Sequence, residues 1–154
     1  MIAIDRKHVE KLEMHALVEQ VFTHYEQAFQ INKNAKSFVR QSPRIPDALK
    51  STESIGMCER TLGRHIPKSN TVSGGTTRGL LKRIGLFTAT GGEFFRGCIV
   101  FPNRNSEGQI ISATGIRYGK RIRRYEKTRI EWQFRSVEQI RRVAIERAKE
   151  VYHV

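Results

Sequence analysis

Only two aspartates, Asp5 and Asp47, occur among the 154 residues, and both lie near the N-terminus. Phosphoryl transfer on nucleic acid generally gathers acidic side chains around Mg²⁺. Here no DxD occurs, and Glu93, Glu107, Glu126 and Glu131 are scattered among arginines. The chain by itself is therefore not expected to make or cut phosphodiester bonds. Cysteine is equally scarce. Cys58 and Cys98 form no CxxC pair, which argues against a cysteine zinc site and predicts two reduced, at least partly buried thiols. No apolar run approaches the roughly 20 residues needed to span a bilayer. The opening MIAIDRKHVEKLEMH is charged too early and too often for a signal peptide. A cytoplasmic protein with no cofactor and no membrane attachment is expected.

Other catalytic patterns are missing as well. No serine sits in GxSxG, and the order GxxxxGK[ST] of a P-loop does not occur. Ser73-Gly74-Gly75-Thr76-Thr77-Arg78-Gly79 can present backbone amides to a phosphate at a helix start, but a flexible turn is the better reading, as it is for Thr90-Gly91-Gly92-Glu93. The histidines are His8, His15, His24, His65 and His153. His8 and His15, seven apart, share a helix face, and without a third ligand that face reads as solvated.

What the chain has in excess is positive charge, 28 Lys and Arg against 15 Asp and Glu, for a formal net charge of +13. Residues 1–50 are close to balance, whereas residues 101–154 hold 13 basic side chains against 6 acidic ones. The densest stretch carries Arg117, Lys120, Arg121, Arg123, Arg124, Lys127 and Arg129 against the single acid Glu126. Such a patch raises self-repulsion without helping the fold, and nucleic acid is its commonest polyanionic partner.

Periodicity predicts the elements. Met14, Leu17, Val18, Val21, Tyr25 and Ala28 recur at helical spacing, giving an amphipathic helix over 5–30 that Asp5 can cap and that ends before Asn32 and Asn34. Short helices are expected over 33–40, with Phe38 and Val39 inward, and over about 47–54. Residues 56–79 are poor in apolar periodicity and read as an irregular loop, followed by a short helix over about 76–84 anchored by Leu80, Leu81 and Ile84. Cys98-Ile99-Val100-Phe101 reads as a buried strand, Asn103–Gly108 as a turn and Gln109–Ala113 as the returning strand.

A period-two pattern follows. Ile116, Tyr118, Lys120 and Ile122 alternate with Arg117, Gly119, Arg121 and Arg123, and Ile130, Trp132 and Phe134 alternate with Arg129, Glu131, Gln133 and Arg135. This predicts an antiparallel hairpin with one face on the core and one face basic. Ser136 and Gln139 have capping-box spacing for a C-terminal helix with Val137, Ile140, Ala144, Ala148 and Val151 as its stripe. The expected fold is α+β: N-terminal helices, a small, mainly antiparallel β-sheet and a C-terminal helix. It forms one domain with a helical part (1–55), a loop-rich part (56–97), a sheet (98–135) and the last helix (136–154). A chain of this size can bury a core without a disulfide or metal.

Side chains on one strand face repeat at roughly 7 Å, close to the phosphate spacing of an extended strand, and arginine bonds phosphate in a bidentate manner. On this reading Arg96, Arg104, Arg117, Lys120, Arg121, Arg123 and Arg124 hold phosphates, with Lys127 and Arg129 in the same patch. Tyr118 and Tyr125 lie among these charges, where they either stack on bases or sit half in the core.

The order of motifs over residues 60–122 resembles the region that follows the zinc finger in bacterial DnaG-type primases, above all in the plasmid and mobile-element branch that carries a zinc finger and a Toprim domain. Arg60-Thr61-Leu62-Gly63, Ile66-Pro67, Arg78-Gly79, Leu81 and Ile84-Gly85 resemble that branch's RTLG, LP, RG, L and LG series. The stretch Gly92–Pro102, GEFFRGCIVFP, resembles its GHEHFxGxxxxP segment and the FRGRIMFPI segment of DnaG, and Glu107–Ile111 matches the following turn and strand. Either Gly115-Ile116-Arg117 stands for the family's GGR or Tyr118-Gly119-Lys120-Arg121-Ile122 stands for YGRKI. Ser37–Gly56 more loosely resembles the helices before it. The family's zinc finger and the Toprim Glu and DxD motifs are missing. The resemblance implies the N-terminal subdomain of a primase polymerase core, in which basic residues guide a single-stranded template, without its catalytic half. It implies DNA binding in the replication or maintenance of a mobile element; the alternative is a scaffold that docks on a separate replication or recombination subunit.

Overall fold

The computed structural model describes residues 6–66, 72–118 and 127–134, with the side chains of all of these but 6–12 and 72–73. Helix α1, Arg6–Gln30, buries Met14, Val18, Val21, Phe22 and Tyr25 along one stripe. Asn32 ends the connection and caps α2, Lys33–Gln41, its Oδ1 accepting the Ala35 N–H at 2.9 Å. Helix α3 is a single turn, Asp47–Lys50, shorter than the expected 47–54.

Four strands follow in the order β1-β2-β3-β4, all antiparallel: β1 Gly56–Met57, β2 Cys98–Arg104, β3 Ile110–Arg117 and β4 Arg129–Gln133. Between β1 and β2 lie a 3₁₀ turn, Leu62–His65, and helix α4, Val72–Arg83. The expected loop over 56–79 is therefore corrected. Gly56 pairs with Val100, Arg78 donates to the carbonyls of Gly63 and Ile66 at 3.0 and 3.3 Å, and α4 already includes Ser73-Gly74-Gly75. These are long-range ties, which local glycine content does not reveal. Thr90–Glu93 is a tight turn, closed by Thr88 N–H to Gly92 O at 2.7 Å and a Phe87–Glu93 bridge.

Both faces of the sheet are covered. Cys98 and Val100 of β2, Ala113 of β3 and Trp132 of β4 join Val18, Phe22 and Tyr25 of α1 in one apolar cluster. Met57, Ile99, Phe101 and Ile116 join Phe29, Ala35, Val39 and Ile45 in the other. That two-sided burial is why Cys98–Phe101 reads as a continuous apolar run. At Gly115 the ring of Phe95 lies so close that a Cβ would meet its Cδ1 at 2.6 Å, so only glycine fits there. Trp132 anchors β4 to the end of α4 through Nε1–H to Ile84 O, 2.7 Å.

The register corrects the hairpin expectation. Ile116 lies opposite Arg129, and Gly115 opposite Ile130. Cross-strand partners share a face, so Arg117 falls on the face of Ile130 and Trp132, while Ile116 shares its face with Arg129. There is no division into an apolar and a basic face along this hairpin. Helices on both sides of the sheet allow either face to be apolar, and the pairing register then decides. Residues 110–117 also form one strand, where two were expected. His15 corrects the solvated-face reading: it is buried and stacks on Phe134, ring centroids 4.2 Å apart. Neither Cys58 nor Cys98 forms a disulfide, and both are buried. The Asp5 cap, the Ser136 helix, Lys120, Arg121, Arg123, Arg124, Tyr125 and His153 lie outside the described residues, as does the side chain of His8. Among the described residues no helix is long and apolar enough to cross a membrane.

Candidate nucleic-acid interface

One end of the sheet collects the ends of all four strands. Cys58 N–H donates to Cys98 O at 3.0 Å, Gly97 N–H to Cys58 O at 3.2 Å, Tyr118 N–H to Gly97 O at 2.9 Å and Arg117 N–H to Thr128 O at 2.9 Å. This ladder brings Arg96, Arg117 and Lys127 together from three separate stretches of chain. The Arg117 guanidinium is the clasp: Nη1 donates to Arg96 O at 2.5 Å and Nε to Lys127 O at 3.3 Å. It spends donors on carbonyls, which leave its charge uncancelled. Arg96 and Lys127 are exposed. Among the described residues no carboxylate forms an ion pair with these three.

The other expected site residues are placed differently. Arg129, one strand position away, pairs with Glu131 at 2.7 Å, and Glu131 also accepts the Thr114 hydroxyl at 2.7 Å. Arg104 sits at the opposite end of β2, where Nη1 meets Glu19 Oε1 at 2.5 Å and Gly108 O at 2.7 Å. Tyr118 is half-buried, with its ring edge-on to Phe38 at 5.1 Å. This is the placement half in the core that its sequence position offered, and Tyr118 also lines an open cleft.

That cleft, about 240 Å³, is bounded by Asn32, Met57, Cys58, Glu59, Arg60, Gly97 and Tyr118. Asn32, Glu59 and Arg60 were not singled out as site residues by sequence. Arg60 has φ 65°, a left-handed conformation uncommon for a residue with a Cβ. The available signal was its place at the head of Arg60-Thr61-Leu62-Gly63.

Behind the cleft lies a buried polar triangle. Tyr25 OH donates to Glu93 Oε1 at 3.3 Å, and the Cys58 thiol donates to the same oxygen at 3.4 Å. Burial pushes the Glu93 carboxyl above the usual carboxylate range, against the opposing pull of these two donors, the Leu62 N–H and the Arg60 charge. Burial, with Glu93 as neighbour, also raises the Cys58 thiol and the Tyr25 hydroxyl well above their ordinary values. A thiol held neutral is a poor nucleophile, so this triangle is a structural floor. Next to Arg60 in the chain, the Thr61 Oγ1 meets His24 Nε2 at 3.0 Å, and the His24 ring lies 4.8 Å from that of His65. Burial and the neighbouring His65 lower the His24 pKa, with Glu59 opposing.

The fold resembles solved primase structures. One is the DnaG primase catalytic domain bound to single-stranded DNA, at 17% identity, TM-score 0.59, covering 83% of this chain and 41% of that one. A second is the Aquifex aeolicus primase, zinc-binding and RNA polymerase domains, at 13% identity, TM-score 0.59, covering 82% and 31%. A third is the RNA polymerase domain of Mycobacterium tuberculosis primase DnaG in complex with double-stranded DNA, at 17% identity, TM-score 0.53, covering 77% and 38%. The chain thus spans about two fifths or less of the structures it matches. No family model matches the chain, and no curated protein matches it. What the chain shares with these primase structures is the fold.

Proposed function

We propose that the chain binds a single-stranded DNA template at the sheet end where Arg96, Arg117 and Lys127 meet, and that phosphodiester chemistry is supplied by a separate polypeptide segment. The observation that carries this is the convergence of three cations, none of them neutralised by a described carboxylate, in a fold like that of a primase core. The stretch joining Tyr118 to Lys127 adds Lys120, Arg121, Arg123 and Arg124 in sequence. Arg129 stands next in line, and Arg104 lies apart; both are engaged by carboxylates, although an exposed ion pair holds by only about 0–1 kcal/mol. One of the similar structures is bound to single-stranded DNA, and this supports the choice of ligand. The setting proposed is replication or maintenance of a mobile element.

The test is a fluorescence anisotropy titration with labelled single-strand, duplex and RNA oligonucleotides over a salt series. Single-strand affinity should be highest and should fall with a log–log slope of about −0.7 per phosphate engaged. A chain that binds no oligonucleotide at low salt refutes the proposal.

A second reading rests on the near-neutral charge of residues 1–50, 8 basic against 6 acidic side chains: the exposed side of α1 need not face nucleic acid, and the fold serves as a scaffold that docks onto a separate catalytic subunit or helicase. Light scattering and pull-down with candidate replication subunits distinguish a docking scaffold from a binder that acts through DNA alone.

A further inference from the structure

The structure assigns the cleft beside Tyr118 to a single nucleobase, turned out of the bound strand while its flanking phosphates rest on Arg96, Arg117 and Lys127. This inference rests on the nucleic-acid reading above and adds a base-binding subsite to it. Its ground is the geometry of the cleft. A volume of about 240 Å³ falls below the roughly 300–1,000 Å³ of a pocket for a drug-sized ligand. One heterocyclic ring system fits in such a space.

The walls suit a base. Tyr118 supplies an aromatic surface, and its edge-on contact with Phe38 at 5.1 Å fixes the ring in one orientation. Every base has a π-face to stack on such a ring, independent of sequence. Met57 supplies apolar surface on the same cleft. The polar groups suit a base edge. Asn32 Oδ1 is committed to the Ala35 N–H at 2.9 Å, which turns Nδ2 toward Met57 Sδ at 3.8 Å. A thioether is a weak acceptor, so this amide keeps a donor for a better partner in the cleft. Glu59 offers an acceptor, and Arg60 a donor, from the rim. The left-handed backbone at Arg60, φ 65°, is a local strain of the kind found beside ligand clamps. Donor, acceptor and aromatic wall thus line one cleft together with Gly97, which directly follows Arg96 in the chain.

The experiment compares wild-type protein on three ligands: an oligonucleotide with 2-aminopurine at its centre, the same length of strand with abasic sites throughout, and free 2-aminopurine riboside monophosphate. The expected result is quenching of the central fluorophore on binding and about tenfold weaker affinity for the abasic strand. Tyr118→Ala should remove the quenching and bring the two strands together in affinity, while Tyr118→Phe should behave as wild type; thermal melts check that each variant folds. Equal wild-type affinity for normal and abasic strands overturns the base cleft and leaves the nucleic-acid reading standing. Binding of neither strand overturns the nucleic-acid reading itself. Quenching of the free monophosphate at the same concentration as the strand assigns the cleft to free nucleotides and overturns the strand as source.

Discussion

Replacing Gly56 by alanine strikes the contact that seats α1 on β1 directly beneath the cleft. A Cβ at this position would lie 2.6 Å from Tyr25 Cβ, 3.0 Å from Tyr25 C and 3.2 Å from Glu26 N. Carbon atoms pack at about 3.5–4.0 Å, so a gap of about 1 Å must open. Two of the three clashing atoms are backbone, and Tyr25 is fully buried, so no rotamer change relieves the overlap; the helix itself must retreat. Overpacking of this kind costs about 1–3 kcal/mol. The retreat also carries the Tyr25 hydroxyl away from Glu93, already at 3.3 Å, and weakening a buried hydrogen bond adds about 1–3 kcal/mol. The combined loss, roughly 2–6 kcal/mol, corresponds to a fall in Tm of about 4–24 °C for a chain of this length. Urea and thermal denaturation followed by the fluorescence of Trp132, the chain's one tryptophan and a buried one, measure it. Gly79→Ala is the control: no heavy atom lies within 4 Å of a Cβ there, and within α4 it should add about 0.4–1 kcal/mol. A Gly56→Ala protein within about 0.5 kcal/mol of wild type would refute the packing argument.

Burial holds Cys58 and Tyr25 neutral in the folded chain, whereas the unfolded chain ionises them near their ordinary values of 9.0 and 10.0. Both folded pKa values are raised, so the stability they contribute is fully present below about pH 9 and is lost as pH climbs beyond it; denaturation midpoints from pH 7 to 11 should fall, less steeply in Cys58→Ala. Trp132→Phe removes the donor to Ile84 O at 2.7 Å and leaves a buried carbonyl unpaired, for a loss of about 1–3 kcal/mol in chemical denaturation. Arg96→Ala combined with Lys127→Ala should weaken oligonucleotide binding and flatten its salt slope by about 1.4, two contacts at ~0.7 each, with thermal stability unchanged because neither side chain is buried.

Where local chemistry decides, the chain could be read directly. The three- and four-residue recurrence from Met14 to Ala28 marks α1, because a helix that packs on a sheet needs one apolar stripe. The apolar run from Cys98 marks β2 as central, and Asn105 and Gly108 mark the turn that their hydrogen bonds close. The α+β class follows from these elements. The stretch from Gly56 to Ile66 was not legible, since β1 exists only through its pairing with β2 and the 3₁₀ turn is tied down by Arg78, more than ten residues on.

The basic patch shows the same boundary at the site. Its charge is a property of composition, and no folding step alters it. Which cations remain available is a property of tertiary structure: Arg104 is engaged by Glu19, 85 residues away in sequence, while Arg96, Arg117 and Lys127 are gathered from three separate stretches of chain. The faces of the hairpin were decided by register, because a strand's side chains alternate with period two and pairing Ile116 with Arg129 sends Arg117 to the opposite face. Element type and net charge belong to the sequence alone; neighbourhood, and with it the cleft at Tyr118, exists only once distant segments meet.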